Sequence, residues 1–176
     1  MKAITLLSEQ IADARGFLEA TFSDVTSEQA HWAPPGAAMP MGAQYAHVAA
    51  AQDMTVSGLL KGGAPLSASS WAGKTGMSEL PPGGGAPGDW GDWPRRVRID
   101  LAALRQYAQA LYAATDDYVA SLDDQSLGRI LDLSAVGQGE RTVGWLLSTG
   151  IVTNMQLHCG EISCIKGLSG SRGYPV

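Results

Sequence analysis

The sequence predicts an all-α protein, a four-helix bundle formed by one domain over residues 1–176. Three observations carry that expectation. Four long segments repeat apolar residues at three- and four-residue steps, the signature of helices with one buried face. No series of short segments alternates apolar and polar residues as strands would. A chain of 176 residues has the volume for one sizeable core, and nothing requires a second domain.

Charge and composition remove several function classes. With 12 Lys and Arg against 17 Asp and Glu, the formal charge is −5, which argues against a nucleic-acid partner. The N-terminus is amphipathic rather than continuously apolar, and no run approaches the ~20 apolar residues of a membrane span. A cytoplasmic protein is expected. Cys159 and Cys164 lie on one predicted helix and point roughly 140° apart, so they cannot pair with each other. Free thiols fit a reducing compartment.

The first helix is expected over residues 3–22, where Ile4, Leu7, Ile11, Ala14, Leu18 and Phe22 form one face. Thr26-Ser27-Glu28-Gln29 matches a capping box and opens a helical turn ending near Trp32, before Pro34 and Pro35. His31 in that turn reads as exposed or bonded to the loop. A second helix follows over 41–60, rich in Ala, with His47 as its one basic donor. Ala43, Ala50, Ala51, Met54 and Gly58 surround His47 on the wheel and leave room, as the wall of a cavity would. The alternative is close helix packing with the imidazole capped by a carbonyl.

Residues 61–93 hold nine Gly, four Pro and three Trp and form a long Gly/Pro/Trp loop between the second and third helices. Trp71, Trp90 and Trp93 favour burial, so part of the loop should pack over one end of the bundle. The stretch 81–88 is expected to be its most mobile part, with a solvated linker as the competing reading. The third helix is expected from about Pro94 to Leu122, burying Val97, Leu101, Leu104, Ala108, Leu111, Tyr118 and Leu122. Asp116 and Asp117 diverge by about 100° and read as a solvated face rather than a catalytic pair. A short helix near 127–131 and a turn at Gly137-Gln138-Gly139 complete the connection. The Lys-Ser/Thr of a phosphate loop is absent there.

The last helix runs from Thr142 to about Leu168. On a wheel turning about 100° per residue, His158 lies roughly 40° to one side of Asn154 and Glu161 roughly 20° to the other. Val143, Leu147, Ile151, Ile165 and Leu168 fall near the same direction, so the polar triplet is expected to face the core. Buried without partners, each such group would cost about 1–3 kcal/mol. A hydrogen-bonded network would satisfy them, and so would a metal ion held from bundle helices. On the opposite side, Trp145, Val152 and Cys159 recur every seven residues. A helix apolar on two faces must be covered twice, which makes a homodimer with Trp145 and Val152 in its interface an expectation.

Three stretches carry a family resemblance. Residues Asn154-Met155-Gln156-Leu157-His158-Cys159-Gly160-Glu161-Ile162, followed by Lys166-Gly167-Leu168-Ser169-Gly170 and Gly173-Tyr174-Pro175, resemble the end of DinB-like proteins. These are damage-inducible four-helix bundles, unrelated to the polymerase of the same label. Ala46-His47-Val48-Ala49 resembles the family's metal-ligand motif on the second helix, and Asp100-Leu101-Ala102-Ala103-Leu104-Arg105 its third helix. The resemblance implies up-down-down-up topology, frequent dimers, and a nickel or zinc ion bound by three histidines. By position the ligands are His47, Asn154 and His158. Asn154 stands where the family has His, and an amide oxygen is a poorer ligand for such metals, so metal binding is expected to be weakened.

Two function classes remain open from the sequence. The resemblance implies a metal-dependent thiol transferase or hydrolase, with Glu161 as a candidate proton acceptor or a support for His158, and a small-molecule or thiol ligand. The alternative is a non-catalytic, stress-associated binding module with a vestigial metal site.

Overall fold

The computed structural model describes residues 1–85 and 90–175. It is mostly helical. Helix α1 spans Ala3–Phe22, and α2, Ser27–His31, opens with the capping box: Thr26 accepts from the Gln29 backbone and Gln29 bonds back. His31 has a structural role, with Nδ1 bonded to the Ser27 carbonyl and Nε2 accepting from the Ile99 N–H. Helix α3, Met41–Asp53, continues as π-helical turns over Met54–Leu60. Short α4, Trp93–Arg96, precedes long α5, Leu101–Ala120, and α6 covers Asp124–Leu127. The last helix comprises α7, Val143–Trp145, π turns over Leu146–Thr153, and α8, Asn154–Leu168.

Packing follows from the apolar stripes. The last helix lies between α1 and α3, while α5 touches both α3 and α1, so the four long helices close a ring. Leu18, Met41, Leu104, Leu147, Ile151 and Met155 sit in the shared core. The C-terminal carbonyls of α1 are satisfied from two sides: Arg105 donates to those of Phe22 and Ser23, and Lys166 to that of Thr21. Cations at that end also complement the helix dipole.

Several sequence expectations change. A two-stranded hairpin pairs β1, Ile130–Asp132, with β2, Glu140–Thr142, where no strand was expected. Three-residue strands are too short for alternation to show. The Gly137 and Gly139 turn closes it, both at positive φ. The short helix lies at Asp124–Leu127 rather than 127–131, because Asp123 caps it. The third helix is broken: residues after Arg96 extend, Met77 bridges Ile99, and Asp100 caps α5 through the Ala102 and Ala103 N–H groups. Asp116 is not merely solvated, since it pairs with Arg15 of α1 at 2.9 Å.

The largest correction concerns the last helix. A π turn bonds five residues along rather than four, so each residue advances by less than the α-helical angle. The core stripe therefore passes from Leu147 and Ile151 to Met155, Cys159, Ile162 and Lys166, all buried. Asn154 and His158 move to its flank, half-buried, and Glu161 and Leu168 are exposed. Of the expected Trp145 and Val152 interface, Trp145 is half-buried and lines a cleft, and Val152 lies in the core with Cys159. Both are buried within the chain, where α1 packs along this helix and Cys159 Sγ donates to Thr21 Oγ1.

The 61–93 segment is anchored as its Trp content suggested. Trp93 is fully buried, and Trp71 and Trp90 pack against the core. Part of the stretch expected to be most mobile, residues 86–88, lies outside the described residues. Asp53 supplies a tether the sequence did not reveal: its carboxylate accepts from the Leu66 and Ser67 N–H groups and the Tyr107 hydroxyl. Gly76 approaches α5 so closely that a Cβ would lie 2.3 Å from the Leu104 nitrogen, at φ +77°.

Asp53→Asn turns an acceptor toward the two N–H donors into an amide that satisfies at most one, at a cost of about 1–3 kcal/mol. Thermal unfolding should show it; an unchanged melting temperature would mean that the segment is held elsewhere. Gly76→Ala should destabilise at least as much, because backbone rather than a flexible side chain blocks the new methyl.

Candidate functional site

The sequence placed three candidate ligands on two helices, and the fold brings them to one cleft. It encloses about 760 Å³ and is lined by His47 of α3 and by Asn154 and His158 of α8. The His47 and His158 rings meet edge to face, centroids 4.7 Å apart. Ala51 widens the α3 wall beside them. Of the residues expected to form a cavity wall, Ala51 and Met54 line the cleft, while Ala43, Ala50 and Gly58 do not.

Each ring is held differently. His47 is 4% exposed and its Nδ1 is buried without a hydrogen-bond partner among the described residues. Burial, and then the neighbouring charge of His158, push its pKa down to about 3, so the ring is neutral near pH 7 and keeps a free lone pair. His158 is 16% exposed at the side chain, and its Nδ1 lies 2.7 Å from Glu161 Oε2. A carboxylate can only accept, so Nδ1 carries the proton and Nε2 keeps its lone pair. Glu161 does this from outside, with its side chain 54% exposed. It supports the imidazole rather than joining the cleft lining. Asn154 Oδ1 is likewise buried and unpartnered among the described residues.

Two imidazoles and an amide therefore share the cleft. Among the described residues no cluster of three His, Cys, Asp or Glu side chains forms a complete metal site. Buried acceptors without partners fit an added cation or donor, because each such atom costs free energy until something binds it.

Sequence reasoning missed most of the remaining wall. Leu133 and Val136 come from the hairpin region, Trp90 from the long connection, and Thr55, Thr149 and Gly150 from the two π segments. Trp90 covers His47, ring centroids 4.2 Å apart. Its membership of a three-Trp loop was the available signal, but which Trp reaches His47 depends on how the loop folds back. Helices at functional sites often carry π turns, and here both ligand-bearing helices do. No residue pattern announced them.

The DinB superfamily sequence pattern matches residues 10–162. The chain belongs to the DinB superfamily. Its fold is similar to that of a conserved protein from Enterococcus faecalis of known crystal structure, with a TM-score of 0.77 at 21% identity, covering 97% of this chain and 99% of that one. Among curated proteins, none matches this sequence significantly. No helix of the described residues is long and apolar enough to cross a membrane.

Two titrations test the ring states. The His47 imidazole resonances should not move between about pH 8 and 5, because protonation waits until about pH 3; titration near 6.5 would contradict the burial argument. Nitrogen NMR of His158 should show the proton on Nδ1, and Glu161→Ala should release that preference. A wild-type ring protonated on Nε2 would show that Glu161 does not orient it.

Proposed function

We propose that this DinB-superfamily protein is a metal-dependent enzyme, a thiol transferase or hydrolase acting on a small molecule in the cleft. The observation that carries the reading is the convergence of His47, Asn154 and His158 with two of their acceptor atoms, His47 Nδ1 and Asn154 Oδ1, left unpartnered among the described residues. The family's up-down-down-up helix order is part of the same reading.

The residues present fit a divalent ion, nickel or zinc, held by the two imidazoles and the Asn154 oxygen. Bound there, such an ion would polarise a substrate oxygen or lower the pKa of a thiol or water. The chain itself supplies the rest. Burial keeps the His47 ring neutral, so it need not lose a proton to ligate. Glu161 fixes the His158 tautomer. Trp90, Trp145 and Leu146 line the cleft and restrict water near the polar cluster. With one amide in place of an imidazole, affinity is lower than a three-histidine set would give.

The lone pair of imidazoles favours a second reading, a non-catalytic binding module with a vestigial site. Metal titration separates the two. Wild-type protein should take up nickel or zinc weakly, Asn154→His should bind at least about tenfold more tightly, and Glu161→Gln should bind about tenfold less tightly. Calorimetry and elemental analysis read all three. Negligible metal in both the wild type and Asn154→His would overturn the enzyme reading and leave the binding module.

A further inference from the structure

The cleft's walls differ in kind from the cluster they surround. Met39, Met54, Leu59, Leu133, Val136 and Leu157 present hydrocarbon and thioether surface, and Trp90 and Trp145 add two indoles. Among the described lining residues there is no Lys, Arg, Asp or Glu, and the titratable ones are His47 and His158 alone. Apart from those two imidazoles, the described lining offers no cationic side chain to a carboxylate or phosphate. Arg141 lies over the Trp145 ring at 4.9 Å but is not part of the lining. A volume of about 760 Å³ lies within the range of sites for drug-sized molecules.

We infer that the cleft takes an uncharged, largely hydrocarbon or aromatic molecule of that size, with one polar head directed at His47, Asn154 and His158. Apolar lining rewards removal of hydrocarbon from water, whereas an ionised ligand would lose its hydration with no Lys, Arg, Asp or Glu among the described lining residues to receive it. The unpartnered Asn154 oxygen accepts, and a neutral His47 ring has one accepting nitrogen, which suits a head that donates a proton, such as an amide or hydroxyl. Methionine and indole surfaces adapt to flat rings. This inference rests on the cleft being the site named above, but it does not depend on metal.

The probes are 1-naphthaleneacetamide and 1-naphthaleneacetate, which share a shape and differ in charge. Titrated into the full chain stripped of metal by chelation, near neutral pH, the amide should bind at least about tenfold more tightly than the carboxylate. Thr153 lines the cleft from an exposed position, so Thr153→Arg should fold normally and narrow or reverse that ratio. Equal affinities, tighter carboxylate binding, or no binding of either probe to the wild type would overturn the inference. So would an amide preference that Thr153→Arg leaves untouched, since binding would then lie elsewhere. Metal uptake is measured separately, so failure of the metal reading and failure of this one are distinguishable.

Discussion

Everything in this structure is arranged around a helix that has no outside. All 13 residues of α3 are buried, which an Ala-rich sequence permits because small side chains let neighbouring helices approach from every direction. A helix in that position cannot send a polar group to water. Each must be met from within the protein, and most are: the Tyr45 hydroxyl donates to Glu19, the Gln52 amide to Thr115, and Asp53 collects two backbone N–H groups and the Tyr107 hydroxyl. Those bonds fix α1, α5 and the start of the long connection against α3. His47 is met differently, by the rings of Trp90 and His158 and by an open cleft. The Gln44 and Gln52 amide oxygens are also buried without partners among the described residues, but of the three unpartnered groups on α3 it is His47 that lines the cleft where a ligand can enter.

The cleft itself depends on the backbone. Both helices that bear the polar cluster pass through π turns beside it, Met54–Leu60 after His47 and Leu146–Thr153 before Asn154. Where those segments meet, Gly150 faces Thr55, and a Cβ there would lie 3.4 Å from the Thr55 methyl. The turns also decide what points where. By slowing the helical rotation they hand the core stripe to Met155 and leave Asn154 and His158 on the cleft side. Without that shift the same residues would be directed into the core, as an uninterrupted α-helix requires, and would need an internal network instead of a ligand.

Much of the fold was legible in the sequence. The four long helices, the capping box at Thr26, the turn at Gly137 to Gly139 and the burial of the loop tryptophans follow from periodicity, local capping chemistry and side-chain hydrophobicity, which act over a few residues. The superfamily pattern likewise sits in contiguous residues, and the meeting of His47 with His158 was anticipated through it. Tertiary structure alone decided the rest. Strands of three residues at β1 and β2 have too little sequence to show a period, and they exist because the chain around them holds them together. The break before Leu101 depends on Ile99 finding Met77 and on Asp100 reaching back to Gly76. The second apolar face of the last helix is real, but α1 packs along the part that holds Val152 and Cys159, which a wheel cannot distinguish from a partner chain. Burial, register and the identity of a neighbour are properties of distant segments in contact, and a linear sequence states them only once it has folded.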